Sequence, residues 1–273
     1  MLIRPAYERP PAWCAVKVVP VFLPTKGAWI RARERRTLGD MTSTITLISG
    51  AARGLGLETA RRLSALGHTV LVGARDPERG RAVAEEVRGR WVALDVGDAD
   101  SVTAAARDVA AHEGRVDVLI NNAGITGPLK SAADLTGEDA LGVFQVNVLG
   151  IVRMTHAFLP LLREAADPRV VNVTSGLGSQ TLTHDPERVE HSVVSPLYTS
   201  SKAAVKMLTT QYARGVEGVR FNAADPGYTA TDLNRHTGTQ TVTEGSDAIV
   251  ALATEEAVAG TGRAVDRHVP LPW

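Results

Sequence analysis

The turn Ser49-Gly50-Ala51-Ala52-Arg53-Gly54-Leu55-Gly56 constrains this chain more than any other feature. It follows a short β-rich apolar run, residues 44–49, and opens a stretch, 55–66, whose apolar spacing fits one buried helix face. Three glycines between a strand and a helix suit a backbone that must turn tightly, approach a ligand closely and pack helix on strand. The helix N-terminus adds free N–H groups and a positive dipole end, which together favour an anion. A glycine-rich turn without a ligand is the alternative reading, and the position between first strand and first helix weighs against it.

The same alternation continues along the chain. Residues 68–73, 91–94, 116–120, 169–174 and 219–223 read as further strands. Helical patterns fill the gaps: 78–88 opened by Pro77, a helix capped by Asp98, one long helix over 138–163, and 196–214. Strands that are apolar almost throughout and alternate with helices indicate a parallel sheet covered on both faces. The expected fold is α/β, a Rossmann-type doubly wound parallel sheet in one domain over residues 41–273. Residues 1–40 differ: they hold five of the 14 prolines and carry eight basic against three acidic residues. They read as a poorly ordered extension, or as a misassigned start ahead of Met41.

Composition excludes several classes. Lys+Arg and Asp+Glu balance at 30 each, so the basic excess that nucleic-acid binding needs is missing. The single cysteine, Cys14, rules out an internal disulfide framework and a multi-cysteine zinc site. The histidines show no ligand spacing, and no metal is expected. No apolar run is read as a membrane span of ~20 residues. A cytoplasmic protein is expected.

The end of the second strand reports on the ligand. A dinucleotide fold that uses NAD places an acidic side chain there to bond the ribose 2′-hydroxyl. Here Val72-Gly73-Ala74-Arg75-Asp76 puts Ala74 in that place, with Arg75 next and Arg53 inside the glycine turn. Two cations at these positions favour the 2′-phosphate of NADP(H) over NAD(H), although Asp76 could itself reach a ribose hydroxyl. Farther on, Tyr198-Thr-Ser-Ser-Lys202 puts a phenol and an ammonium on one helix face. A nearby ammonium is expected to lower the phenol pKa of ~10 toward useful acid–base chemistry. The strand before this helix ends Val173-Thr174-Ser175-Gly176, a hydroxyl at the carboxyl edge of the sheet.

Taken in order, the motifs Gly50-x-x-x-Gly54-x-Gly56, Asn121-Asn122-Ala123-Gly124, Asn147, Ser175, Tyr198-x-x-x-Lys202 and Asp225-Pro226-Gly227-Tyr228-Thr229-Ala230-Thr231-Asp232 resemble the short-chain dehydrogenase/reductase family, compact single-domain type. The resemblance implies that Tyr198 is the general acid in carbonyl reduction and that Ser175 donates a hydrogen bond to the substrate oxygen. It implies that Lys202 bonds the nicotinamide ribose and that Asn147 holds a water linking Lys202 to solvent. Cofactor contacts are implied for Gly50, Arg53, Gly54, Leu55 and Gly56 at the phosphates, Arg75 at the 2′-phosphate, and Asp95 and Val96 at the adenine. Asn122, Ala123 and Gly124 would form the floor, with Tyr198, Lys202, Pro226, Gly227, Thr229 and Thr231 around the nicotinamide.

The implied activity is a carbonyl reductase, or alcohol dehydrogenase in reverse, acting on a ketone, aldehyde or secondary alcohol. A non-catalytic NADP-sensing regulator is the rival, and an epimerase or dehydratase on the same fold the third reading. Two departures from the family pattern stand out. Ser175 and Tyr198 are 23 residues apart, a longer spacing than usual, and the extra segment, 180–195, reads as a surface loop or as a cover over the substrate pocket. The connection at 214–218 looks shortened, which leaves self-association open. Residues 234–243 suggest a lid poor in large apolar side chains.

Overall fold

The computed structural model describes residues 43–256 and 259–272; the expectations for residues 1–40 and for Met41 lie outside the described residues. Seven parallel strands form a single sheet in the order β3-β2-β1-β4-β5-β6-β7. They are β1 (Ile45–Ser49), β2 (Thr69–Ala74), β3 (Arg90–Ala93), β4 (Val118–Asn121), β5 (Arg169–Val173), β6 (Arg220–Ala224) and β7 (Ala264–Val265). The order reverses beside β1, whose Ile48 pairs with Val72 on one side and Ile120 on the other. Helices α1 (Gly54–Ala65), α2 (Pro77–Glu86), α3 (Ala99–His112), α4 (Gly137–Asn147), α5 (Leu149–Leu162), α6 (Gln180–His184), α7 (Pro196–Gly215) and α8 (Val242–Thr254) fill the connections.

Burial follows from the strand period. Ile48, Val70, Val72, Val118, Ile120, Val171 and Val173 pack on one face against Ala60 and Leu63 of α1, Val83 and Ala84 of α2, and Ile249 and Leu252 of α8. The alternate residues Leu47, Leu71 and Leu119 are equally buried and therefore face the opposite layer. That layer contains α3, α5 and α7, with Val109, Met154, Phe158 and Val205 inaccessible to solvent. Both faces being covered explains why the strands read as continuous apolar runs.

Strand and helix ends fall within about two residues of the sequence expectation, with five differences, one of them helix α6 inside the segment read as a surface loop or cover. The long helix expected over 138–163 is two helices, broken at Val148, whose φ of −113° and ψ of −62° interrupt the ladder. Arg153 bonds the Gln145 carbonyl that the break frees, and the Asn147 side chain bonds the Ile125 backbone. By length and composition the 26 residues Gly137–Leu162 could also cross a membrane, contrary to expectation; here Gly150, Ile151, Met154, Phe158, Leu161 and Leu162 bury one face in the domain. Helix α8 and the two-residue strand β7 were not expected. The signal for α8 is Thr241-x-x-Glu244, which forms a reciprocal capping box. Strand β7 is too short to carry a pattern.

Phe158→Ala should lower unfolding free energy by about 3–5 kcal/mol. Leu141→Ala on α4, where the side chain is 70% exposed, should change it by less than about 0.5 kcal/mol. Urea denaturation of the two variants checks the contrast.

Candidate active site

Parallel strands bring all their carboxyl ends to one edge, and the residues singled out from the sequence gather there. At the end of β1, Ser49 ties two strands together: its hydroxyl accepts from the N–H groups of Asn122 (3.0 Å) and Ala123 (3.1 Å). The Asn122 amide donates back to the carbonyls of Ser49 and Gly50. A side chain on Gly56 would collide with the Gly50 carbonyl, and Gly50 itself has φ +66°. Only glycine fits at these two points. The first turn of α1 carries no acidic residue and no side-chain cap, so its N–H groups face outward with the positive helix end behind them.

A groove of about 480 Å³ opens at this turn, lined by Gly50, Arg53, Gly54, Leu55, Gly56, Arg75, Asp95, Val96, Asn122, Ala123, Gly124 and Thr231 among others. Sequence reasoning missed Arg79 and Asp232, which also line it. Arg79 could have been found as a cation in the first turn of the helix that Pro77 opens, just beyond Arg75. Asp76 also lines the groove, and its Oδ1 caps α2 by accepting from Glu78 N (3.0 Å) and Arg79 N (3.1 Å). Arg75 reaches into solvent beside Asp95, 3.7 Å away, and Arg53 pairs with Asp232 at 2.8 Å. An uncapped helix N-terminus, a close backbone approach and three arginines at one groove suit a diphosphate-bearing nucleotide of this size.

The polar groups farther along the edge converge from four elements. Asn147, the last residue of α4, clasps the loop after β4: its Oδ1 accepts from Ile125 N (2.9 Å) and its Nδ2 donates to Ile125 O (2.8 Å) and Ser201 Oγ (3.0 Å). Lys202 on α7 is 5% exposed and donates from Nζ to the Val173 carbonyl at 2.9 Å. Asn147 Oδ1 and Lys202 Nζ both stand close to the place a Gly124 side chain would fill, 3.4 and 3.6 Å away. Tyr198 hydrogen-bonds Ser175, and the Lys202 ammonium lies 5.6 Å from its ring centre.

Charge at this site differs from expectation. Burial pushes the Tyr198 phenol above its ordinary value and the nearby Asp225 carboxylate pushes it further, while the Ser175 bond offsets part of this. Lys202 is not among the influences on it; its ammonium bonds the Val173 carbonyl. Burial also pulls Lys202 down to about 8, against the pull of Asp225. Beyond Asp225, Thr229 Oγ1 donates to Pro226 O at 2.7 Å. The loop over 228–240 closes on itself through Ala230 N to Gln240 O (2.8 Å) and Gln240 N to Tyr228 O (3.0 Å). Pro226, Gly227, Thr229 and Thr231 therefore come from a tied loop.

Lys202 gives a pH signature. Below pH 8 the ammonium is charged folded and unfolded, and burying it costs about 3 kcal/mol. Between about 8 and the unfolded value of ~10.4 only the unfolded chain keeps the proton, so stability rises with pH as that cost is relieved. Unfolding free energy of the wild type relative to Lys202→Met should therefore climb from pH 8 to pH 10; a flat difference would show that Lys202 titrates normally.

Comparison with known proteins agrees with this architecture. The profile of the short chain dehydrogenase family matches residues 44–241. A short-chain dehydrogenase of Penicillium roqueforti is 36% identical over 231 residues, covering 80% of this chain and 91% of that protein. A (+)-neomenthol dehydrogenase of Arabidopsis thaliana is 29% identical over 277 residues, covering 79% and 93%. Among solved structures, NADPH-bound carbonyl reductase from chicken fatty liver superposes with a TM-score of 0.74 at 27% identity, covering 85% of this chain and 99% of that one. With the sheet order, the glycine turn and the clustered polar edge already in view, the match settles the family: the chain belongs to the short-chain dehydrogenases, oxidoreductases of the Rossmann-type fold.

Proposed function

We propose that this protein is an NADP(H)-dependent carbonyl reductase, reversible as a secondary-alcohol dehydrogenase. The observation that carries the reading is the hydrogen-bonded Tyr198–Ser175 pair, set beside Lys202 and Asn147 at the same sheet edge as the nucleotide-sized groove. The nicotinamide, when bound, supplies hydride to the carbonyl carbon. Ser175 then orients the substrate oxygen by donating to it, and Tyr198 delivers the proton that turns the developing alkoxide into an alcohol. A phenol held above its ordinary pKa arrives protonated, which suits the reductive direction. Lys202 and Asn147, facing each other across Gly124, form the route by which a proton returns to the tyrosine side.

Arg75 and Arg53, both lining the groove, support the phosphorylated cofactor. The chicken carbonyl reductase binds NADPH, and the Arabidopsis relative is named for an alcohol; both agree in class. A non-catalytic sensor would have no need of Tyr198, Ser175, Lys202 and Asn147 gathered at one edge. The partner in this reading is a small-molecule carbonyl or alcohol.

Fluorescence titration should show NADPH binding more tightly than NADH, with Arg75→Ala losing at least about 1 kcal/mol of the NADPH preference, as expected for a charge-assisted hydrogen bond. Equal affinities unaffected by Arg75→Ala would assign the ribose to an acidic side chain and remove NADP(H) from the proposal.

A further inference from the structure

The segment between Ser175 and Tyr198 is anchored to the domain near its start. Leu182 of α6 buries itself with Ala223, Ala264 and Leu271, pinning the insertion to the β6–β7 edge. A short 3-10 turn, Val189–Ser192, then carries Glu190 inward. Its carboxylate is 12% exposed, with Arg188 on its outer side at 3.2 Å. The place where a Cβ on Gly176 would stand is 2.5 Å from Glu190 Oε1 and 3.1 Å from Asp225 Oδ2. Two carboxylates from separate elements thus meet over the glycine that follows Ser175. Lys206, one helical turn beyond Lys202 on α7, is 2% exposed, and its Nζ has no hydrogen-bond partner among the described residues. Asp225 and Glu190 are the two charges that act on it.

An isolated buried ammonium is costly, and so are two adjacent buried carboxylates; with Arg188 bonded to Glu190, two cations and two carboxylates balance. We propose that Glu190, Lys206 and Asp225 form a buried charge cluster behind the catalytic turn, positioning Ser175–Gly176 and holding the Lys202 ammonium, with the inserted segment delivering its third member. This rests on the oxidoreductase reading of the same site. The groups facing Asp225 come from every element packed on it: Tyr198, Lys202 and Lys206 from α7, Glu190 from the insertion and Asp266 after β7. Burial raises Asp225, with Glu190 and Asp266 adding to the rise; the Gly227 N–H and Lys206 bring it down. Lys206 and Asp225 therefore favour one another's charged forms, and Asp225 favours the charge on Lys202. Asp266 is engaged elsewhere, since its Oδ1 accepts from His268 N and Val269 N.

The test reads the lysines directly, without nucleotide or substrate. The full chain is labelled with carbon-13 at the lysine ε position, Lys202 and Lys206 are assigned by Lys202→Arg and Lys206→Arg, and both resonances are titrated. Removing an anion near an ammonium lowers its pKa. Asp225→Asn should therefore move both midpoints down by about 1 pH unit or more, and Glu190→Gln should move Lys206 down. A packing role alone would change thermal stability and leave the midpoints in place. An unmoved Lys202 in Asp225→Asn, or an unmoved Lys206 in Glu190→Gln, overturns the cluster. If Asp225→Asn does not fold, the Glu190→Gln titration decides alone. Because no turnover is measured, an enzyme inactive on carbonyls would overturn the oxidoreductase reading separately and leave these midpoints unchanged.

Discussion

A parallel sheet buried on both faces leaves its carboxyl edge as the place where one domain can gather polar groups from many strands. Every feature of the site descends from that constraint. Strands β1, β2, β3, β4, β5 and β6 end in Gly50, Arg75, Asp95, Asn122, Ser175 and Asp225 within a residue or two, and shared direction makes those sequence-distant residues neighbours. The reversal of strand order beside β1 opens the crevice between two of these ends. The Ser49 hydroxyl, holding the N–H groups of Asn122 and Ala123, fixes the two sides of the crevice to one another. Asn147 does the same for the next layer, clasping Ile125 on one side and Ser201 on the other.

What this edge gains in chemistry it loses in solvation. Lys202, Lys206 and Asp225 are each 5% exposed or less, and burial is the largest influence on all three. The expectation that an ammonium beside a phenol lowers the phenol's pKa compares two charges and omits the water both have lost. In the folded chain desolvation is the largest influence, and Tyr198 keeps its proton more firmly than a free tyrosine. Lys202 meanwhile bonds the Val173 carbonyl, its Nζ 5.6 Å from the centre of the tyrosine ring. Such a site is destabilising by itself; Leu47, Leu71, Leu119, Met154 and Phe158, wholly buried, offset it from the core.

Much of this was legible in the residues. Apolar runs near β1, β2, β4, β5 and β6, the glycine turn, and the order Asn147, Ser175, Tyr198, Lys202 place the sheet and the family, because each depends on a local pattern. The break at Val148 was not legible: a helical period runs through it, and the groups beside it are met by Arg153 and Ile125, partners that no local pattern announces. Strand β7 exists through pairing with Ala223 and Ala224, a long-range partner that no two-residue run announces. Asp76, Arg53 and Arg75 were visible as charges near the groove, but which of them is occupied by a cap or an ion pair depends on rotamers. Glu190, Lys206 and Asp225 were unreadable as a group because they meet only through the fold of the insertion.

The most direct test of the account is deuteride transfer. Incubation with NADPH deuterated at the reactive nicotinamide carbon and a panel of ketones and aldehydes, followed by mass spectrometry of the alcohols, asks whether hydride passes from the cofactor. The account predicts one deuterium at the carbinol carbon with wild type and none with Tyr198→Phe, although that variant still binds NADPH. Wild-type protein that binds NADPH yet yields no deuterated alcohol from any member of the panel would contradict it.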